Sequence, residues 1–151
     1  MKNQIIINKV ISPFKKNLEI EGDKSLSIRW ALLASQAIGK STSTNLLKSE
    51  DVFNTLKCLK KLGVKVNLFR NKCEIYGMGI NGYKYKKNIV LNAGNSGTFA
   101  RLILGLLVKS PFHIKLIGDK SLSQRDFERV MLPLREVGAN FKVNNKKTLP
   151  L

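Results

Sequence analysis

The two halves of this chain carry the same markers 75 positions apart: Asp51 and Asp126, Leu59 and Leu134, Gly63 and Gly138, Val64 and Ala139. Arg29 and Arg101 are 72 apart. Between the markers, strand and helix signals alternate, so the expected fold is α/β, built from two tandem βαβαββ units.

In the first half, residues 4–10 are β-like and closed by Ser12-Pro13, and residues 18–21 lead into Gly22. Leu26, Trp30, Leu33, Ala34, Ala37 and Ile38 recur at helical spacing and predict a buried helix with Gly39 as its C-cap. Residues 41–47 read as a strand. Ser49 then serves as N-cap of a helix with Val52, Leu56, Leu59 and Leu62 on one face, ended by Gly63. Strands are expected over 64–69 and 73–76.

The second half repeats the order. Residues 88–91 form a strand, 92–97 are a breaker cluster, and Phe99, Leu102, Ile103, Leu106 and Leu107 mark a helix ending before Pro111. A strand over 113–117 follows, with His113 at its edge. Phe127, Val130, Met131, Leu134 and Val137 mark another helix, stopped by Gly138, in which Pro133 predicts a kink or local break. A last strand is expected over 139–143.

The chain's charge narrows the function classes. With 27 Lys plus Arg against 10 Asp plus Glu, the net charge is +17, yet 43% hydrophobic residues make this a globular chain and not a basic tail. The lysines are scattered, with no aromatic-interleaved stripe, so a nucleic-acid surface is not the expected reading. No uncharged apolar stretch reaches the roughly 18 residues of a membrane helix, and the N-terminal apolar run is too short for a signal-peptide core of about 7–15. A cytoplasmic protein is expected. Cys58 and Cys73 have no CxxC spacing and read as small buried hydrophobes.

Chemistry concentrates where two helices begin. Gly22-Asp23-Lys24-Ser25 opens one, Gly94-Asn95-Ser96-Gly97-Thr98 another, and each offers free backbone N–H groups at the positive end of a helix dipole. One turn in stands an arginine, Arg29 or Arg101, leaning back toward the start. A cation there opposes the dipole, so it calls for an anionic ligand or for a carboxylate partner such as Asp23 or Asp119. Gly118-Asp119-Lys120-Ser121-Leu122-Ser123-Gln124-Arg125 repeats residues 22–29 at all but one position, at an offset of 96 that does not fit the duplication. The likeness of the two strings reads as coincidence, although Lys120 or Arg125 could reach the same crevice. Neither paired acids nor a Ser-His dyad completes a catalytic set among these residues.

In this order and spacing, GDKSLSIRWALLAS, LLKSEDVFNTLKCLKKLGVKV, LNAGNSGTFARLILGLL and GDKSLSQRDFERVMLPLREVGA resemble the N-terminal portion of the 5-enolpyruvylshikimate-3-phosphate synthase family. The resemblance implies transfer of the enolpyruvyl group of phosphoenolpyruvate to the 5-hydroxyl of shikimate 3-phosphate, with release of phosphate and no metal or organic cofactor. It implies that Lys24 contacts phosphoenolpyruvate, that Ser25 and Arg29 hold the shikimate phosphate, and that Gly97 and Arg125 bind the transferred phosphate. Asn95, Thr98 and Arg101 would shape the site.

The resemblance also implies a fold of two domains, each an inside-out assembly of three βαβαββ units. Residues 1–21 would be a strand segment belonging to the other domain, and 22–151 the first two units of one domain. The fragment alone would then be inactive, expose apolar surface where a third unit packs, and need the remaining C-terminal portion as its partner; a monomer is expected when complete. Glu21 and Asp126 stand where the family usually has proline, each placing a carboxylate beside a cationic contact. Gly97 keeps a small residue where a methyl group obstructs glyphosate, so a glyphosate-sensitive parent enzyme is expected. Two alternatives stay open: a UDP-N-acetylglucosamine enolpyruvyl transferase, whose pattern has Lys-Asn and a reactive Cys in the loop 118–125, and a basic nucleic-acid-binding module.

Overall fold

The computed structural model describes residues 6, 8–10, 12–143 and 146–151. Its elements run α1 (Lys24–Gln36), β1 (Ile38–Ser43), α2 (Glu50–Lys61), β2 (Lys65–Leu68), β3 (Cys73–Met78), β4 (Ile89–Asn92), α3 (Gly97–Leu106), β5 (Ile114–Ile117), a 3-10 turn (Leu122–Gln124) and α4 (Glu128–Glu136). β3 lies between β1 and β2 in an antiparallel sheet, and β4 pairs with β5 in parallel across α3. Among the described residues, no helix is long and apolar enough to cross a membrane.

The duplication is visible but incomplete. The second copy runs β4-α3-β5-α4, the first α1-β1-α2-β2-β3. The strand expected over 4–10 falls partly on residues 4, 5 and 7, outside the described ones, and no strand forms among the described residues of 6–21. The remainder of the segment expected over 1–21, residues 1–5, 7 and 11, lies outside the described residues. Asn45 Nδ2 donates to the Ile20 carbonyl at 3.2 Å and ties the end of the described part down. Likewise residues 139–143 form no strand. Here the free edge of β5 is taken by Leu151, which exchanges both backbone hydrogen bonds with Leu116 at 2.8 and 3.1 Å.

The α2 face holds as expected, with Val52, Leu56, Leu59 and Leu62 all buried. Ser49 occupies the cap position of that helix, but its hydroxyl makes no capping bond. Acids in the first turn, Glu50 and Asp51, and bases in the last, Lys60 and Lys61, complement the dipole. In α4, Pro133 does not end the helix, which continues to Glu136; the proline faces solvent, where water can satisfy the carbonyl it leaves unbonded.

The buried side of α1 differs from the expectation. Ser27, Ile28, Ala31, Leu32, Ala34 and Ser35 face the core, while Leu26 and Leu33 are 63% and 71% exposed. Small residues win the inner face because β3 passes very close to the helix end. A Cβ on Gly77 would lie 2.2 Å from the Ala37 carbonyl oxygen and 2.3 Å from that of Ala34. The helix stops at Gln36, so Gly39 falls inside β1 at φ +90° and does not cap it.

Since only backbone could yield, Gly77→Ala is expected to destabilise the fold by about 3 kcal/mol, lowering the melting temperature by roughly 6–12 °C for a domain of this size. Calorimetry that finds the two chains equally stable would contradict this close approach.

Candidate functional site

The starts of α1, α2 and α3 carry the site. Asp23 caps α1, its Oδ1 accepting from Leu26 N at 2.7 Å, and Lys24 follows as the first helical residue. Lys24 Nζ reaches Asp51 Oδ2 at 3.1 Å; the Asp51 side chain is only 14% exposed. The ammonium is thereby aimed at the first turn of α2. The Ser25 hydroxyl and the Arg29 guanidinium make no hydrogen bond or ion pair among the described residues, and Arg29 is exposed.

At α3, the turn is built by its own side chains. Asn92 Oδ1 accepts from Gly94 N at 2.9 Å, and the Ser96 hydroxyl caps the helix by accepting from Phe99 N at 3.2 Å. Gly94 sits at φ +57°, in the left-handed region that favours glycine, and a Cβ there would be 2.4 Å from Asn54 Nδ2, so the Asn54 amide rests against its Cα. α2 therefore presents three residues of one face to this site: Asp51 to Lys24, Asn54 to Gly94, and Cys58, whose thiol donates to the Asn92 carbonyl at 3.3 Å. The sequence reading takes Asp51 as a marker of the duplication and not as a site residue, and does not include Asn54. Their i, i+3 spacing opposite the apolar stripe of α2 was the available signal.

Two guanidiniums close over the buried Gly97. The position of a Cβ on Gly97 is 2.8 Å from Arg101 Nη1 and 3.0 Å from Arg125 Nη1. Arg125 comes from the turn after β5, where its Nη2 donates to Asn95 Oδ1 at 3.3 Å. Arg101 stacks over the Phe127 ring at 5.2 Å and donates to the Asp126 carbonyl at 3.4 Å, while its buried Nε has no partner. Burial, followed by the nearby Arg129 and Arg125 charges, pulls the Arg101 guanidinium below its ordinary value. Among the described residues, no arginine has a carboxylate within ion-pair distance. The alternative that Arg29 and Arg101 answer to Asp23 or Asp119 is thus not realised.

Of the residues singled out from sequence, Asn95, Gly97, Arg101 and Arg125 come together, with the half-buried Thr98 beside Gly97 on the first turn of α3. Lys24 joins them through α2. Ser25, Arg29 and Lys120 have no bond to this group among the described residues. Asp126 does not pair with a guanidinium: its Oδ1 accepts from Glu128 N at 2.7 Å. Chemically, unpaired guanidiniums around the first amides of a helix form a receptor for a phosphate-sized anion.

The cysteines are no part of that chemistry. Burial pushes the Cys58 and Cys73 thiols from 9.0 up to about 11, so both stay protonated in the fold where the unfolded chain already ionises. The unfolded state binds fewer protons between those values, so this contribution to stability is whole below pH 9 and is lost as pH rises toward 11. Melting temperature is expected to fall across that window, less steeply in Cys58→Ala; parallel slopes would contradict the assignment.

The sequence profile of the EPSP synthase (3-phosphoshikimate 1-carboxyvinyltransferase) family matches residues 9–151. The chain is 44% identical over 122 residues to 3-phosphoshikimate 1-carboxyvinyltransferase of Bacillus cytotoxicus, covering 81% of this chain and 28% of that one. It is 37% identical over 144 residues to the Syntrophomonas wolfei enzyme of the same name, covering 95% and 33%. Its fold superimposes on EPSP synthase from Acinetobacter baumannii with a TM-score of 0.81 at 36% identity, over 88% of this chain and 30% of that structure. The chain spans about a third of the length of the curated relatives it matches. By sequence profile, by relatives and by fold, the chain belongs to the EPSP synthase (3-phosphoshikimate 1-carboxyvinyltransferase) family.

Proposed function

We propose that this chain supplies the phosphate-gripping part of an active site that transfers the enolpyruvyl group of phosphoenolpyruvate to the 5-hydroxyl of shikimate 3-phosphate and releases phosphate. The observation that carries the reading is the convergence of Arg101 and Arg125, neither paired with an acid, on Gly97 at the start of α3. Both substrates are phosphate esters, and the reaction frees phosphate. A fixed set of cations and helix-start amides holds that group through addition and elimination while charge builds on it.

Within this reading Gly97 and Arg125 take the transferred phosphate, and Lys24, steered by Asp51, reaches phosphoenolpyruvate. Ser25 and Arg29 take the shikimate phosphate, with Asn95, Thr98 and Arg101 shaping the pocket. The acid–base groups come from residues beyond this chain's third of the enzyme. The exposed Leu26 and Leu33 on the outer side of α1 support a chain that contributes part of a larger domain.

The test is a chimera in which this chain replaces the matching portion of the Bacillus cytotoxicus relative. Phosphate release from phosphoenolpyruvate is expected with shikimate 3-phosphate and not with UDP-N-acetylglucosamine. A folded chimera that releases phosphate with neither acceptor would overturn the proposal.

A further inference from the structure

The strings Gly22-Asp23-Lys24-Ser25-Leu26 and Gly118-Asp119-Lys120-Ser121-Leu122 share an aspartate cap, the first opening α1 and the second the 3-10 turn Leu122–Gln124. In each, the aspartate Oδ1 accepts from the amide three residues on, at 2.7 Å. The Asp23 side chain makes no further hydrogen bond among the described residues. Asp119 uses its second oxygen, Oδ2, to accept from Asn95 Nδ2 at 2.5 Å, and Asn95 Oδ1 accepts in turn from Arg125 Nη2 at 3.3 Å. Chemistry fixes the amide between them, since a carboxylate only accepts and a guanidinium only donates. The two loops are also joined by backbone, with Asp119 N donating to the Gly94 carbonyl at 2.8 Å.

We propose that Asp119 is a positioning residue of the anion site: through Asn95 it fixes the Arg125 guanidinium beside Gly97, in addition to capping the turn at Leu122–Gln124. This rests on reading that site as the phosphate grip. The interposed amide is what makes the arrangement useful. A direct ion pair from Asp119 would hold Arg125 but cancel its charge, whereas a neutral amide holds one N–H and leaves the remaining donors and the full positive charge for the ligand. A long, exposed arginine otherwise spreads over many rotamers, and ordering it would be charged to ligand binding.

Asp119→Asn separates the two roles. Its carbonyl oxygen keeps the cap on Leu122 N, but its NH2 meets the Asn95 NH2; turning Asn95 over moves the donor–donor clash to Arg125. In the chimera, Asp119→Asn is expected to raise KM for phosphoenolpyruvate and weaken inorganic phosphate binding, measured by titration calorimetry, by roughly tenfold, the worth of about one net charge-assisted bond. The kcat should change less than about threefold and the melting temperature by no more than about 2 °C, because the cap survives. Asn95→Ala cuts the same relay from the other side, so the double variant should lose roughly tenfold and not a hundredfold. Unchanged phosphate affinity in Asp119→Asn, or effects that multiply, would overturn the assignment. A wild-type chimera that binds phosphate but transfers nothing, with Asp119→Asn binding it tenfold more weakly, would overturn the transferase reading and leave this one standing.

Discussion

Arg125→Ala, placed in the chimera, is expected to lower kcat/KM for phosphoenolpyruvate by about a hundredfold without weakening the fold. The magnitude follows from losing a charged donor aimed at the phosphate in a site that holds it through the reaction, worth roughly 2–4 kcal/mol at about 1.4 kcal/mol per tenfold. The stability half follows from the like charges. Arg101 feels both Arg129 and Arg125 as neighbouring cations, and no carboxylate pairs with any of them among the described residues. Deleting Arg125 removes its repulsion with Arg101 and costs its 3.3 Å bond to Asn95 and its longer-range attraction to Asp119; these opposed terms leave the melting temperature close to level. Arg125→Lys should fall between, keeping the charge and losing the planar fork. Steady-state kinetics and thermal unfolding on the same samples decide it: a variant that is destabilised and still binds substrate normally would make Arg125 a structural residue.

How much of this was legible beforehand depended on how local the controlling physics is. The α2 face could be read because four large apolar residues at helical spacing have one sensible direction to point. The α1 face was misread for the converse reason. Its inner side is made of serines and alanines selected by the approach of β3 at Gly77, a contact between segments about 40 residues apart that leaves no periodic trace. Strands failed where their partners are distant: 113–117 formed beside β4, whereas 139–143 did not form, because Leu151 occupies the edge of β5.

The site divides in the same way. Glycine-rich helix starts followed by arginines are local signals with a direct electrostatic meaning, and Asn95, Gly97, Arg101 and Arg125 do meet. The groups that orient them could not be read so. Asp51 sits 27 residues from Lys24 and Asp119 sits 24 from Asn95, and only the packing of α2 on α1 and the pairing of β5 with β4 bring each pair within bonding distance. Asp126, beside Arg125 in sequence, pairs with no guanidinium: its Oδ1 accepts from the Glu128 amide at the start of α4, and its charge reaches Arg101 only at longer range.

Gly97→Ala is expected to separate stability from function with opposite signs. Gly97 is the first residue of α3 and its φ lies outside the left-handed region, so an alanine there suits the backbone and trims the entropy of the unfolded chain, worth about 0.4–1 kcal/mol. The new methyl meets no backbone. Its nearest contacts would be Arg101 Nη1 at 2.8 Å, Arg125 Nη1 at 3.0 Å and Leu122 Cδ1 at 3.9 Å, and the first two are the free ends of flexible side chains that can swing away. Swinging away is the functional cost, because both guanidiniums leave the space over the helix-start amide where the phosphate is to sit. A displacement of about 1 Å in such a clamp costs on the order of a hundredfold in rate, so KM for phosphoenolpyruvate should rise at least tenfold while the melting temperature holds or climbs by 1–2 °C, roughly. If instead the alanine chimera binds phosphoenolpyruvate as tightly as the parent, Gly97 is not part of the anion contact, and the small residue at that position serves only to let the turn after β5 pack on α3.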